Sequence, residues 1–136
     1  MLLLDTSGLL AAVDASQVRH ADCAAVIAAR PGPFLLSPFV LAELDYLLGT
    51  RVGAAAQQAL LAEVVRGAYR LEPFDAADVG VARGVMAKYG DQQLGLADAS
   101  LVVLAARHRV RDVLTLDHRH FTVIRPLTGR AFRLWP

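Results

Sequence analysis

With 136 residues, 55% of them hydrophobic and 20% charged, the chain can bury one core and has little room for a second domain. That composition excludes a disordered protein, and no apolar run approaches the roughly 18 residues of a membrane-spanning helix. A formal net charge of +1 singles out no partner, whereas the lone Cys23 excludes an internal disulfide and accords with a reducing cytoplasm.

The chain opens on "MLLL", which has neither a basic flank nor a small-residue cleavage site and so does not read as a secretory signal. Leu2 to Leu4 are a short apolar run, as in a strand buried on both faces of a parallel sheet. Thr6 or Ser7 can cap a helix through about residue 15, and a second helix covers roughly 18–29 before the breaker "RPGP". "FLLS" (34–37) reads as the next strand, with Ser37-Pro38 as cap and first residue of a helix that runs to about Leu48 and stops at Gly49. Another helix spans 54–66, and "YRLEP" (69–73) is a third strand. Asp75 caps a helix that ends near Tyr89 and carries Asp78 in its first turn, where the dipole favours acids. A helix over 96–109, a strand over 112–117 and a strand over 131–135 complete the chain. Such alternation predicts an α/β domain with a mainly parallel sheet of about five strands over residues 1–136.

Two strands end in a carboxylate, at Asp5 and Asp117. Ligands of parallel sheets sit beyond the carboxyl ends of the strands, so both acids are placed on one rim. Turn chemistry accounts equally well for either acid alone. Glu43 has Phe39, Val40, Tyr46 and Leu47 at helical offsets, and Asp98 has Leu94, Leu101 and Val102, so both are expected to point inward. A buried arginine partner for Glu43 and a capping role for Asp98 are the plainer alternatives. Asp45 reads as a solvated charge, and Asp91 as a loop or cap residue.

Four carboxylates that converge repel one another unless a cation neutralises them. An all-oxygen set suits Mg2+ or Mn2+, whereas zinc would take His or Cys. Such a centre can activate water and stabilise in-line displacement at phosphorus, which points to metal-dependent phosphodiester hydrolysis.

The segments "LLLDTSGLLA", "LAELDYLL" with its glutamate, "LADASLVVLA" and "VLTLDHRHF" together resemble the PIN-domain ribonucleases, above all the VapC toxins of bacterial toxin–antitoxin pairs. The likeness runs from Leu2 to about Pro126, with the motifs in family order. It implies a PIN-like α/β/α sandwich and Mg2+- or Mn2+-dependent endonucleolytic cleavage of RNA. It also implies a cytoplasmic homodimer held inactive by a VapB-type antitoxin. Carried over by position, the catalytic and metal-binding acids are Asp5, Glu43, Asp98 and Asp117. Thr6 and Thr115 match as residues that orient carboxylates or water by hydrogen bonds.

Residues 101–136 hold seven arginines and two acids. Arg107 to Arg111 are expected to cap a helix at the rim away from Asp117, while His118 and Arg119 adjoin the acids and are candidates for RNA contact. The apolar helices at 18–29 and 54–66 are candidate partner-binding surfaces. Two rival functions remain at this stage. A haloacid-dehalogenase-like phosphatase also begins with strand and Asp, but wants a second aspartate where this chain has Ser7. The non-enzymatic rival is an RNA-binding domain with a structural metal.

Overall fold

A computed structural model describes residues 1–136. Short strands and longer helices alternate along the chain: β1 (Leu2–Leu4), α1 (Thr6–Val13), α2 (His20–Ala28), β2 (Phe34–Leu36), α3 (Pro38–Arg51), α4 (Ala54–Val65) and β3 (Arg70–Leu71). They are followed by α5 (Ala76–Lys88), a 3-10 turn (Gly90–Gln92), α6 (Leu96–His108), β4 (Asp112–Leu114), α7 (His118–Val123) and β5 (Arg133–Trp135). The strands form one five-stranded sheet in the order β3-β2-β1-β4-β5, and every pairing is parallel. The expected α/β/α arrangement is therefore present, with a sheet that is wholly rather than mainly parallel.

The first residues of the chain form the central strand. Leu2, Leu3 and Leu4 are fully buried, flanked by β2 through Leu3↔Leu35 and by β4 through Leu4↔Leu114. Burial on both faces explains why β1 is a run of leucines without alternation. Helix α6 is enclosed almost all round, burying Ala97 and every residue from Ala99 to Ala105, and it packs against α5, α3 and β1. Gly8 of α1 lies so close to β4 that a Cβ there would stand 2.5 Å from the Leu114 carbonyl oxygen. Only glycine lets the chain turn from β1 into α1 at this spacing.

Several element boundaries differ from the sequence reading. Helix α3 continues through Gly49 to Arg51. Gly49 is a packing site: a Cβ there would come within 2.6 Å of the Gln57 side chain, which reaches from α4 to donate to Asp45. Asp45 is thus half-buried and bonded, not a freely solvated charge. The stop lies at Gly53, whose φ of +142° suits glycine and whose N–H bonds the Leu48 carbonyl at 2.8 Å. Helix α2 begins at His20, leaving Val18 98% exposed in a turn. Strand β4 ends at Leu114, three residues before Asp117, and α7 fills a stretch where no helix was expected.

Arg107, expected to cap α6 at the rim away from Asp117, instead extends its side chain to the carboxyl end of β3, at the edge of the sheet. It donates to the Pro73 carbonyl and the Asp78 carboxylate at 2.7 Å each, and with His108 and Arg70 it surrounds the buried Glu72. These pairs tie α6 to α5 and to the end of β3.

Candidate metal centre

Asp5 follows β1 and occupies the N-cap position of α1, yet its side chain makes no capping bond. The carboxylate is turned instead toward β4. Its Oδ2 accepts from Thr115 Oγ1 at 2.7 Å and from Ser7 Oγ at 2.8 Å. The Leu4↔Leu114 register sets residue 115 beside residue 5, so parallel pairing itself delivers the threonine. Ser7 Oγ also accepts the Leu116 N–H at 2.9 Å, which fastens the α1 entrance to the chain leaving β4. Asp5 is 5% exposed.

Asp117 caps α7, accepting the His120 N–H at 3.1 Å while its own N–H donates to Thr115 Oγ1 at 2.9 Å. Thr115 thus touches two of the four acids. The His120 Nδ1 lies 2.8 Å from Asp117 Oδ2 but makes no hydrogen bond, so it is close without being aligned. Asp98 stands in the first turn of α6, half-buried, with the Gly95 N–H 3.4 Å from its Oδ2. The capping role and the place at the cleft are therefore both occupied by the one carboxylate. Glu43 comes from α3.

Asp5, Glu43, Asp98 and Asp117 line a single cleft of about 310 Å³ beyond the carboxyl ends of β1 and β4, together with Thr6, Ser7, Arg51 and His120. A family model described as PIN domain matches residues 2–125. Over 135 residues the chain is 45% identical to Ribonuclease VapC26 of Mycobacterium tuberculosis, covering 99% of this chain and 100% of that one. The chain belongs to the PIN domain family, among the VapC proteins. Two solved structures share its fold. Mycobacterium tuberculosis VapC20, a sarcin–ricin loop cleaving toxin, superposes with a TM-score of 0.83 at 22% identity over 90% of this chain and 95% of that one. VapBC2 from Rickettsia felis, bound to a DNA fragment from its promoter, gives 0.67 at 18% identity over 99% and 98%.

In this PIN domain Asp5, Asp98 and Asp117 act on one another through their charges. Burial raises the Asp5 carboxyl above its ordinary range; the hydrogen bonds from Thr115 and Ser7 oppose that shift, and the charge of Asp117 adds to it. Burial likewise pushes Asp98 up to about 6, reinforced by Asp5 and Asp117 against the Gly95 N–H and His120. The cleft thus holds more negative charge than its own residues balance. No three His, Cys, Asp or Glu side chains are gathered tightly enough to hold a metal ion as they stand. In kind, however, the donors fit a hard divalent cation: all four are carboxylates, and the Thr6 Oγ1 in the cleft wall is buried without a hydrogen-bond partner.

Some sequence expectations need correction. Glu43 does not point inward: the buried stripe of α3 is Val40, Leu44 and Leu48, and Glu43 is exposed at the cleft mouth. The Thr6 hydroxyl bonds no carboxylate, and only its backbone N–H acts on Asp5; the side-chain bond comes from Ser7, one position on. His118 and Arg119 are exposed on the first turn of α7 outside the cleft lining, whereas His120 lines it. Arg51 was not anticipated either, although it falls two helical turns after Glu43 and hence on the same side of α3. Asp91 lies in the exposed 3-10 turn and does not line the cleft.

Proposed function

We propose that this PIN domain is a Mg2+- or Mn2+-dependent endoribonuclease that serves as the toxin of a toxin–antitoxin pair. The observation that carries this reading is the convergence of Asp5, Glu43, Asp98 and Asp117 on one cleft, where burial and mutual repulsion raise two of the carboxyls. These four would hold the cation, which supplies Lewis-acid chemistry at the scissile phosphate and at the attacking water. Holding the cation would require the half-buried Asp98, whose carboxyl is raised to about 6, to be ionised.

The chain's own residues perform the remaining tasks. Thr115 and Ser7 donate to Asp5 Oδ2, which favours its ionised form against the effect of burial and fixes its rotamer. Thr115 places Asp117 through the backbone N–H, so one hydroxyl sets the relation of two acids. Arg51 and His120 are the basic side chains in the cleft lining and would meet an entering phosphodiester. His118 and Arg119, just outside, would meet the flanking backbone.

VapC26 is named a ribonuclease, and VapBC2 is a pair bound to its own promoter DNA. By kinship with them, the partners of this chain are an RNA substrate, a VapB-type antitoxin and a second copy of itself, in the cytoplasm. No helix is long and apolar enough to cross a membrane.

The test is incubation of the protein, freed of any antitoxin, with structured RNAs and Mg2+, beside Asp5→Asn and EDTA controls. Cleavage lost in both controls is the expected result. Identical fragments from wild type and Asp5→Asn would overturn the reading, and RNA binding without turnover would leave a binding domain with a structural metal.

A further inference from the structure

At the opposite end of the sheet from the acids, three arginines converge on a second polar cavity of about 300 Å³. Arg109 and Arg111 come from the link between α6 and β4, and Arg130 from the segment between α7 and β5. No acidic side chain lines this cavity. None of the three arginines has a carboxylate within ion-pairing range, whereas Arg19, Arg30, Arg66, Arg70, Arg107 and Arg133 each do. The only two acids beyond residue 100 are engaged elsewhere, Asp112 by Arg133 and Trp135, Asp117 by α7.

The cavity is held open by backbone as well as charge. Arg111 Nη1 donates to the Ala131 carbonyl at 3.1 Å, and the Arg133 N–H bonds the Arg111 carbonyl at 2.8 Å, so the two walls are fastened together. Arg109 ends α6 in a left-handed conformation with φ of +54°, closed by the Val110 N–H bond to the Ala105 carbonyl at 3.0 Å, which turns the chain into the cavity wall. Three arginines around one cavity with no acid among them leave a concentration of positive charge that an anion would neutralise. Guanidinium suits phosphate oxygens, which it can bind through two parallel hydrogen bonds. Pro126 is shared with a neighbouring cavity that contains Lys88 and Arg125, so basic side chains continue from this end of the sheet toward α7.

We propose that the Arg109–Arg111–Arg130 cavity binds the phosphodiester backbone of the RNA substrate away from the point of cleavage. This inference rests on the ribonuclease reading above. Asp98 and Arg109 lie 11 residues apart on α6 and its cap, a rise of about 16 Å. Only an RNA long enough to cover that span can engage both ends, so the cavity acts on long substrates and not on short ones.

The experiment compares full-length wild type with the double variant Arg109→Gln plus Arg130→Gln; both side chains are exposed, and Arg111 is kept because it fastens Ala131. Binding of a long, uncleavable 2′-O-methyl RNA is measured against salt, alongside steady-state cleavage of long and very short RNAs. Loss of two phosphate contacts should make the log–log salt slope shallower by about 1.4 and raise KM for long RNA by about 10-fold. The kcat, and KM for the short RNA, should stay as in wild type. An unchanged slope and unchanged KM for long RNA, in a protein that does cut RNA, would overturn the cavity assignment alone. A wild type that neither cuts nor binds RNA would overturn the ribonuclease reading and this one with it. If the variant loses binding of inorganic phosphate, followed by 31P NMR, but keeps its RNA affinity, the cavity serves a small free anion and the RNA assignment fails.

Discussion

Replacing Asp98 by Asn should stabilise the metal-free protein while abolishing its activity, and the gain should depend on pH. Its carboxyl is raised from an ordinary 3.8 to about 6, so the folded state holds this proton more tightly than the unfolded chain does. The stability tied to that proton is fully present below pH 4 and is lost as pH rises through about 6. A shift of about 2 units corresponds to roughly 3 kcal/mol, which partial exposure of Asp98 reduces to about 2 kcal/mol. Asparagine presents the same shape without the charge and keeps an acceptor for the Gly95 N–H. Thermal unfolding in EDTA at pH 8 should therefore show Asp98→Asn melting about 8 °C above wild type, at roughly 4 °C per kcal/mol for a domain of this size. At pH 4 the two curves should coincide. With Mg2+ at about a hundred times its Kd the order should reverse, since about 2.7 kcal/mol of binding energy goes to the intact acids alone. A gap of equal size at both pH values, or a destabilised variant at pH 8, would refute the account of why this carboxyl is raised.

Three further outcomes follow from contacts around the cleft. Ser7→Ala removes one of two donors to Asp5 and strips the Leu116 N–H of its acceptor, so urea unfolding should report a loss of about 1–3 kcal/mol. The same variant should need higher pH for activity, because Asp5 loses a bond that favours its ionised form; an unshifted pH–rate profile would contradict the role given to Ser7. Gly8→Ala drives a Cβ onto the Leu114 carbonyl, and a cost of about 3 kcal/mol or more is expected in the same assay, against little change for alanine at the open Gly80. His118→Ala and Arg119→Ala should weaken RNA binding and flatten its salt dependence, and unchanged rates and slopes would remove them from the interface.

Much of this architecture could be read from local pattern because parallel strands and caps leave local marks. Three leucines ended by Asp5 mark a doubly buried strand, and Ser37-Pro38 marks a helix start, with Ser37 Oγ accepting the Phe39 N–H at 3.2 Å. What escaped depends on contacts far apart in the chain. Gly49 looks like a terminator and is a passage for Gln57. Glu43 has apolar neighbours at helical spacing, but Tyr46 among them is 68% exposed, so that stripe is not the core face. Helix α7 has only six residues and is started by Asp117, which reads equally well as a strand end. Ser7 reads locally as no more than a possible helix cap; its bond to the far strand is visible only once β1 lies beside β4, bringing residue 116 within reach.

The position of β1 also sets the order in which the protein can come alive during its own synthesis. The central strand is made first, but its partner β4 begins at residue 112, and the hydroxyl that fixes Asp5 belongs to Thr115. At roughly 5–20 residues per second, about 5 to 20 seconds separate the two. Until then β1 has only β2 beside it and the acidic cleft lacks a wall, so a nascent chain still being lengthened cannot assemble the site. A product that stops before β4 lacks both Thr115 and Asp117, so Asp5 would stand in it without its hydroxyl partner and the cleft without one of its acids.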